Sequence, residues 1–275
     1  MAINSIAIKQ IVGAWAFKSN EEVAWMCSQV ENLQIQQDGE TTEKKDSNGA
    51  TIFTIDKNKS CQISFDSSVL DLNLIAALNG TDRIDATNLA TIRVPYIDRK
   101  VISTEDKTAG YIVLTKPVVA ETGGGYKISF HTLTDDNSLQ ANHAQVASGT
   151  EPTATEFAYN PTGKKLYFPT NLIAGTKIEV IYEYEVSNGA KVTNAADKFP
   201  DAAKVRFLVL AVDLCDQTRV RALWITAKNA KPQTGNTIGF NLDDTISVTL
   251  NLAYSYCDDD KSFYEIAVAD EDFIW

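Results

Sequence analysis

The residues able to do chemistry are few in this chain, and their spacing does not bring them together. The two histidines, His131 and His143, sit in a strand-like run (KISFHTL) and in a polar stretch. Neither has a glutamate or a second histidine at metal-binding spacing. Cys27, Cys61, Cys215 and Cys257 form no C-x-x-C pair. Three of them lie in apolar runs, where a thiol behaves as a small hydrophobe, and reduced, buried thiols suit assembly in a cytoplasm. Asp135-Asp136 and Asp243-Asp244 fit turns as well as an acid–base pair, which would also need a shared pocket. Gly123-Gly124-Gly125 precedes neither a helix nor a Lys-Ser/Thr pair, so it reads as a hairpin turn rather than a phosphate cradle. Asp258-Asp259-Asp260 offers hard oxygen ligands without the spacing or the glycine of a calcium loop. Trp15, Trp25, Trp224 and Trp275 are scattered, which favours core packing over a sugar-stacking platform. No catalytic residue, cofactor or metal ligand is assigned, and the chain reads as non-enzymatic.

Charge narrows the partners. The net charge is −11, and from Asp258 to Asp272 seven acids stand against Lys261 alone. Such a balance opposes groove-reading nucleic-acid binding, while leaving a surface that DNA can pass without sticking. A solvated acidic segment that aids solubility fits the same residues. The first residues lack a basic stretch followed by an apolar one, and no window is long enough to span a bilayer, so no membrane partner is expected.

The elements that would position any site are mostly strands. Gln36–Ala50 has no large apolar residue in 15 positions. Such a stretch is either a functional loop or a floppy surface one. Asp38, Gly39, Glu40, Glu43, Lys44, Lys45 and Asp46 are its candidate contact residues. TIFTIDKNKSCQISFD then reads as a hairpin turning at residues 56–59, with Cys61, Ile63 and Phe65 on one face. At Asp66-Ser67-Ser68, any of which can cap a helix, the period changes. Asp71 lies in the first turn, Leu70, Leu74, Ala77 and Leu78 recur at helical spacing, and Asn79-Gly80 offers a left-handed stop. Val69, Leu72, Ile75 and Ala76 widen the apolar stripe, so this helix must be covered. Leu70, Leu74, Ile75 and Leu78 are candidates for a subunit interface as well as for core.

ATIRVPYIDRKVIS reads as a strand with Pro95 at an edge or bend. From about residue 105, short strands and turns alternate in the rhythm of a small β-sandwich, which places an inserted immunoglobulin-like domain at 106–188 between two parts, 1–105 and 189–275, of one β domain. KVRFLVLAVDLC is apolar on both faces, and TRVRALWITAK answers it across Asp216-Gln217. Ile246 to Tyr256 alternates strictly over eleven residues, a strand of about 35 Å. Its second face, Ser247, Thr249, Asn251, Ala253 and Ser255, is small and uncharged. Ser247, Thr249, Asn251 and Ser255 are candidates for close strand pairing or for lining a lumen.

This order of polar loop (QDGETTEKKDSNG), hairpin and compact apolar helix (SSVLDLNLIAALNG) resembles the major tail tube proteins of tailed bacteriophages. VRFLVLAVDLCDQTRVRALWITAKNAKP, followed by TGNTIGFNLDDTISVTLNLAYSYC, resembles their closing strands. The likeness covers about residues 30–104 and 200–268. It implies a mainly β fold: a two-sheet β-sandwich or barrel of the tail-tube type with one flanking α-helix, plus the inserted immunoglobulin-like β-sandwich. It also implies subunits joined in sixfold rings that stack into a tube, with the long loop reaching a neighbouring ring and the lumen conducting the genome. The implied partners are further copies of the chain and other tail proteins (tape measure, terminator, baseplate), with DNA only as passing cargo. The implied place is the virion tail, assembled in the host cytoplasm. The competing reading is a decoration or host-surface protein that binds carbohydrate through residues 106–188.

Overall fold

Alternation along the strands sorts apolar side chains onto one face, and two separate cores result. The computed structural model describes residues 6–147, 150–214, 218–235, 237–239, 245–254 and 261–269. The chain divides into two compact units, Met1–Ile84 with Val192–Trp275, and Asp85–Lys191.

The first unit opens with β1 (Ile6–Phe17), β2 (Val23–Cys27), β3 (Val30–Lys45), β4 (Thr51–Ser67) and helix α1 (Leu72–Leu78). After β5 (Ile84–Asp85), the second unit holds β6 (Ile92–Val101), α2 (Thr104–Ala109), β7 (Tyr111–Val113), β8 (Ile128–Leu133), β9 (Leu139–Gln145), β10 (Glu156–Asn160), β11 (Lys165–Tyr167) and β12 (Lys177–Val186). The chain then runs through β13 (Ala190–Lys191) into β14 (Ala203–Asp213), β15 (Val220–Pro232), β16 (Thr237–Ile238), β17 (Ile246–Leu252) and β18 (Glu265–Val268). The protein is mainly β, with a curled half-barrel sheet and few helices.

In the first unit the strand order is β2-β1-β14-β15-β17-β4-β3, with β16 on β17 and β18 on β15. Strands from the two ends of this order touch: Trp25 of β2 stacks on Phe65 of β4 at 6.2 Å, and the Cys27 thiol donates to Ser67 Oγ (3.0 Å). The sheet therefore curls around its apolar face, and α1 plugs the space with Leu74 and Leu78. Phe65, Phe207, Ile63, Leu74 and Leu250 are fully buried there, each contributing about 1.5–3 kcal/mol relative to exposure. Phe207 to Ala211 is buried on both faces, as its unbroken apolar run requires.

The second unit is one seven-stranded sheet in the order β6-β12-β8-β9-β10-β11-β7. β9 and β10 run parallel, Glu156 opposite Ala144, and the sheet closes on Phe130, Phe157, Leu166, Ile178 and Val180. This unit begins before residue 106, because β6 pairs with β12 over its whole length, Ile92 opposite Val186 through Val101 opposite Lys177. Pro95 sits on that edge strand, where its missing N–H costs no ladder bond. Ser103 and Asp106 cap α2 reciprocally.

Two local readings are corrected. Residues 51–67 form one strand, not a hairpin turning at 56–59, because β4 pairs with β3 from Val30–Ser67 out to Lys45–Thr51. The helix cap is Asp71, whose Oδ1 accepts from the N–H of Asn73 (2.6 Å) and Leu74 (3.2 Å). Asp66 and Ser67 cannot serve, since both are held in ladder pairs with Ser247 and Ile246.

Candidate functional site

The polar stretch at Gln36–Ala50 is the outer half of a two-stranded arm. β3 and β4 leave the core at Gln37–Cys61 and continue as a ladder to Lys45–Thr51, where Asp46 closes the turn. Asp46 Oδ1 accepts from the N–H groups of Asn48 (2.9 Å) and Ala50 (2.8 Å), and Gly49 takes a left-handed φ of +84°. Every residue from Gln36 to Ser60 is exposed. Asp38, Gly39, Glu40, Glu43, Lys44 and Lys45 thus lie in one strand of the arm, and Asp46 at its tip. The opposite strand, expected to be part of a hairpin of its own, adds Ile52 (62% exposed), Phe53 (46%) and Ile55 (44%). The signal that could have joined the two strands is the complementary polar alternation of GETTEKK and TIFTIDK, which no apolar face marks.

Tyr264 anchors the arm at its base, accepting from Gln37 Nε2 (2.5 Å) while packing against the first unit's core. Across the arm, Thr41 Oγ1 donates to Asp56 Oδ1 (3.1 Å) and Thr51 Oγ1 to Glu43 Oε2 (3.2 Å). An isolated two-stranded ribbon is marginal in water, and these exposed bonds add little to it.

The helix candidates separate. Leu74 and Leu78 are buried in their own unit, Ile75 is half-buried against the same core, and Leu70 precedes the helix at 50% exposure. Of the four, Leu70 is the exposed one, beside exposed Val69. A Leu74→Asp change would break the core of its own unit.

On β17, Ile246, Val248, Leu250 and Leu252 point into the core. Ser247 and Asn251 are exposed and Thr249 half-buried on the other face; Ser255 lies outside the described residues. Ser247 Oγ donates to Asp66 Oδ1 (2.6 Å), and Gln62 Nε2 to Asn251 Oδ1 (2.9 Å). With Ser64 opposite Thr249 and Gln34 opposite Ser64, the outward face of β17, β4 and β3 is a polar sheet whose charged members, Asp66 opposite Ser247 and Glu31 opposite Asp66, are acidic. The expected eleven-residue strand is described as seven, ending at Leu252.

Nothing in the described residues assembles a reaction centre. His131 Nδ1 pairs with Asn142 Oδ1 (2.9 Å) and His143 Nδ1 with the Thr155 carbonyl (3.0 Å), neither beside a nucleophile. Among the described residues no three His, Cys, Asp or Glu groups could hold a metal. Asp258-Asp259-Asp260 and Asp243-Asp244 lie outside them, whereas Asp135-Asp136 forms a turn in which Asp136 accepts from Thr134 and Ser138. Trp15 and Trp224, far apart in the chain, meet at 6.0 Å on the outer face of β1, β14 and β15, and Cys27 and Cys61 are buried free thiols. Asp98, buried in the second unit, is structural. Burial opposes its charge, but bonds from Thr115 Oγ1 (2.5 Å), Thr115 N (2.8 Å) and Tyr182 Oη (2.7 Å) prevail and hold its carboxyl below the ordinary range. Burial, and that same carboxylate, push the Tyr182 hydroxyl far up.

A sequence model of the YomU/Tube protein family matches residues 118–265, more than half of the chain. The match runs through most of the second unit and back into the first as far as β18, and leaves the arm and α1 outside it. No curated protein matches.

Proposed function

The chain belongs to the YomU/Tube protein family, and from that premise we propose that it is the structural subunit of a bacteriophage tail tube, assembled in the host cytoplasm into the virion tail. Subunits join in sixfold rings, the rings stack, and the lumen conducts the genome. The partners are other copies of the chain and the tape-measure, terminator and baseplate proteins. The second unit, with its own core, is the immunoglobulin-like module each subunit carries.

One observation carries the reading. A two-stranded arm exposed on both faces, residues 38–60, meets among the described residues no surface of its own chain beyond the Gln37–Tyr264 bond at its base. A subunit in a stacked assembly has a use for such an arm; a monomeric decoration or glycan-binding protein does not. Two further features support it. Among the described residues β2 and β3 are the terminal strands of the order, and in the tube reading their outer edges serve neighbouring subunits. The polar face of Gln34, Gln62, Ser64, Ser247, Thr249 and Asn251 suits the passage of a polyanion without capture, as does a net charge of −11.

Excision of residues 40–57, joining Gly39 to Asn58, removes both arm strands together and leaves the core ladder from Gln37–Cys61 inward. The excised chain is expected to remain a folded monomer with an unchanged melting profile and to form no tubes by negative-stain electron microscopy. Normal tubes from the excised chain would refute the arm's role.

A further inference from the structure

Beside β10 the second unit carries a depression lined by tyrosines and by polar side chains. β10 pairs with β11 so that Ala158 lies opposite Tyr167, and the small side chain leaves space next to the ring. Across that space the chain folds back over the strand: Thr150 N donates to the Ala147 carbonyl (3.1 Å) and Thr153 N to that of Glu156 (3.2 Å). Two adjoining hollows of about 280 and 360 Å³ result, sharing Thr150, Ala158 and Tyr159. Small-molecule sites begin at about 300 Å³, so each hollow suits one small ring and its substituents.

The lining is aromatic, rich in hydrogen-bonding groups and nearly uncharged. Tyr126, Tyr159 and Tyr167 are half-buried in it. Tyr126 meets Tyr159 edge-on at 4.9 Å, Tyr159 Oη accepts from Val118 N (3.3 Å), and Tyr167 packs on Tyr111 at 5.5 Å. The rings are therefore held in place before any ligand arrives. Among the described residues the side chains of Gln145, Thr150 and Glu151 and the hydroxyls of Tyr126 and Tyr167 make no hydrogen bond. Asn160 Oδ1 accepts from Thr162 N (2.9 Å), which leaves its Nδ2 to donate. Donors and acceptors thus alternate within one small area. The one charged residue of the lining is Glu151. Lys165, opposite Asn160 in the ladder, extends over the Tyr111 ring at 4.3 Å, and Glu156 accepts from Thr153 (3.1 Å).

We propose that this depression is a binding site for a neutral glycan, with one sugar ring in each hollow. A pyranose has faces of polarised C–H groups, which lie favourably on the negative faces of aromatic rings, and a rim of hydroxyls that both donate and accept. The tyrosines answer the first and the amides, hydroxyls and phenols the second. An anion, whether a phosphate or an acidic sugar, would meet Glu151 with no cation in the lining. An extended peptide that adds a strand needs an open sheet edge, and β9, β10 and β11 are all interior strands. The site lies wholly within the second unit and does not rest on the tube reading. Repeated in every subunit of an assembly, a weak site of this kind would hold a polysaccharide by multivalency.

Saturation-transfer NMR on the full chain, which reads free and assembled protein alike, tests the site. The probes are chitobiose, maltose and lactose, their monosaccharides, and glucuronate and sialic acid as acidic sugars. At least one neutral disaccharide is expected to bind at about millimolar Kd, roughly tenfold more tightly than its monosaccharide, and neither acidic sugar to bind. Tyr167→Ala and Asn160→Ala are each expected to weaken binding about three- to tenfold. Asn160 is exposed, so its variant keeps the test open if Tyr167→Ala unsettles the fold. The chain lacking residues 40–57 is expected to bind as wild type does, so failure here and failure of the tube reading are told apart. No binding of any neutral sugar up to about 10 mM, acidic sugars binding as tightly as neutral ones, equal affinity for disaccharide and monosaccharide, or wild-type affinity in the Asn160 variant would overturn the proposal.

Discussion

At the scale of single residues, burial separates side chains that the sequence ranks together. Leu70 and Leu74 both sit in the same apolar stretch, yet Leu74 is fully buried and Leu70 is half exposed. Leu74→Ala is expected to cost about 2–5 kcal/mol in urea unfolding, and Leu70→Ser no more than about 0.5 kcal/mol. If Leu70 serves a neighbour, the second change lowers tube yield without moving the melt; a shifted melt would make it a core residue. The Asp98 cluster gives a signed pH test. A carboxyl held below its ordinary value contributes stability that is full above the unfolded value of about 4 and fades as pH falls through the folded one. Tyr182→Phe removes one bond to that carboxylate. It should destabilise the chain by about 1.5–3 kcal/mol at neutral pH, and the gap should narrow below about pH 4. A gap independent of pH would show that the tyrosine acts by packing alone. These residues were only partly legible beforehand. Leu74's spacing marked it as facing a core but could not say whose. Asp98 stands alone in its strand, and its donors come from Thr115 and Tyr182, a pairing no local pattern encodes.

Among elements, strands with one buried face could be read and those with none could not. The alternation of Ile246, Val248, Leu250 and Leu252 against Ser247, Thr249 and Asn251 is the burial pattern observed, because each apolar side chain meets the core. The arm fails the same test for a physical reason: neither face of residues 38–60 is covered, so no apolar period marks it as strand. Asp56-Lys57-Asn58-Lys59 carries turn-favouring residues and does contain an irregularity, but a bulge rather than a reversal. The place of β6 beside β12 is not visible in its own pattern, because residues 102–176 separate the two strands. The neutral face of β17 carries its own expectation. Ser247→Lys together with Asn251→Lys adds two cations to a face that now has no positive charge on that strand. Tubes should still form, but they should retain DNA fragments at low salt and release them as salt rises. Absence of any DNA retention in assembled double-lysine tubes would remove that face from the lumen.

At the scale of the whole molecule, a curled sheet, a polar outward face and a protruding arm occur in one chain of net charge −11. Under the proposed function, these features serve a subunit that meets copies of itself. The YomU/Tube match rests on residues 118–265, whereas the arm and α1 lie before it, so the sequence family and the assembly geometry are independent supports. The most direct measurement is cryo-electron microscopy of the purified full chain over a range of concentrations, with averaging of end-on views. The account predicts closed sixfold rings stacked into tubes, with Ser247 and Asn251 facing the lumen and the arm bridging to another subunit. A chain that stays monomeric at every concentration, or rings with the arm free in solvent, would contradict it.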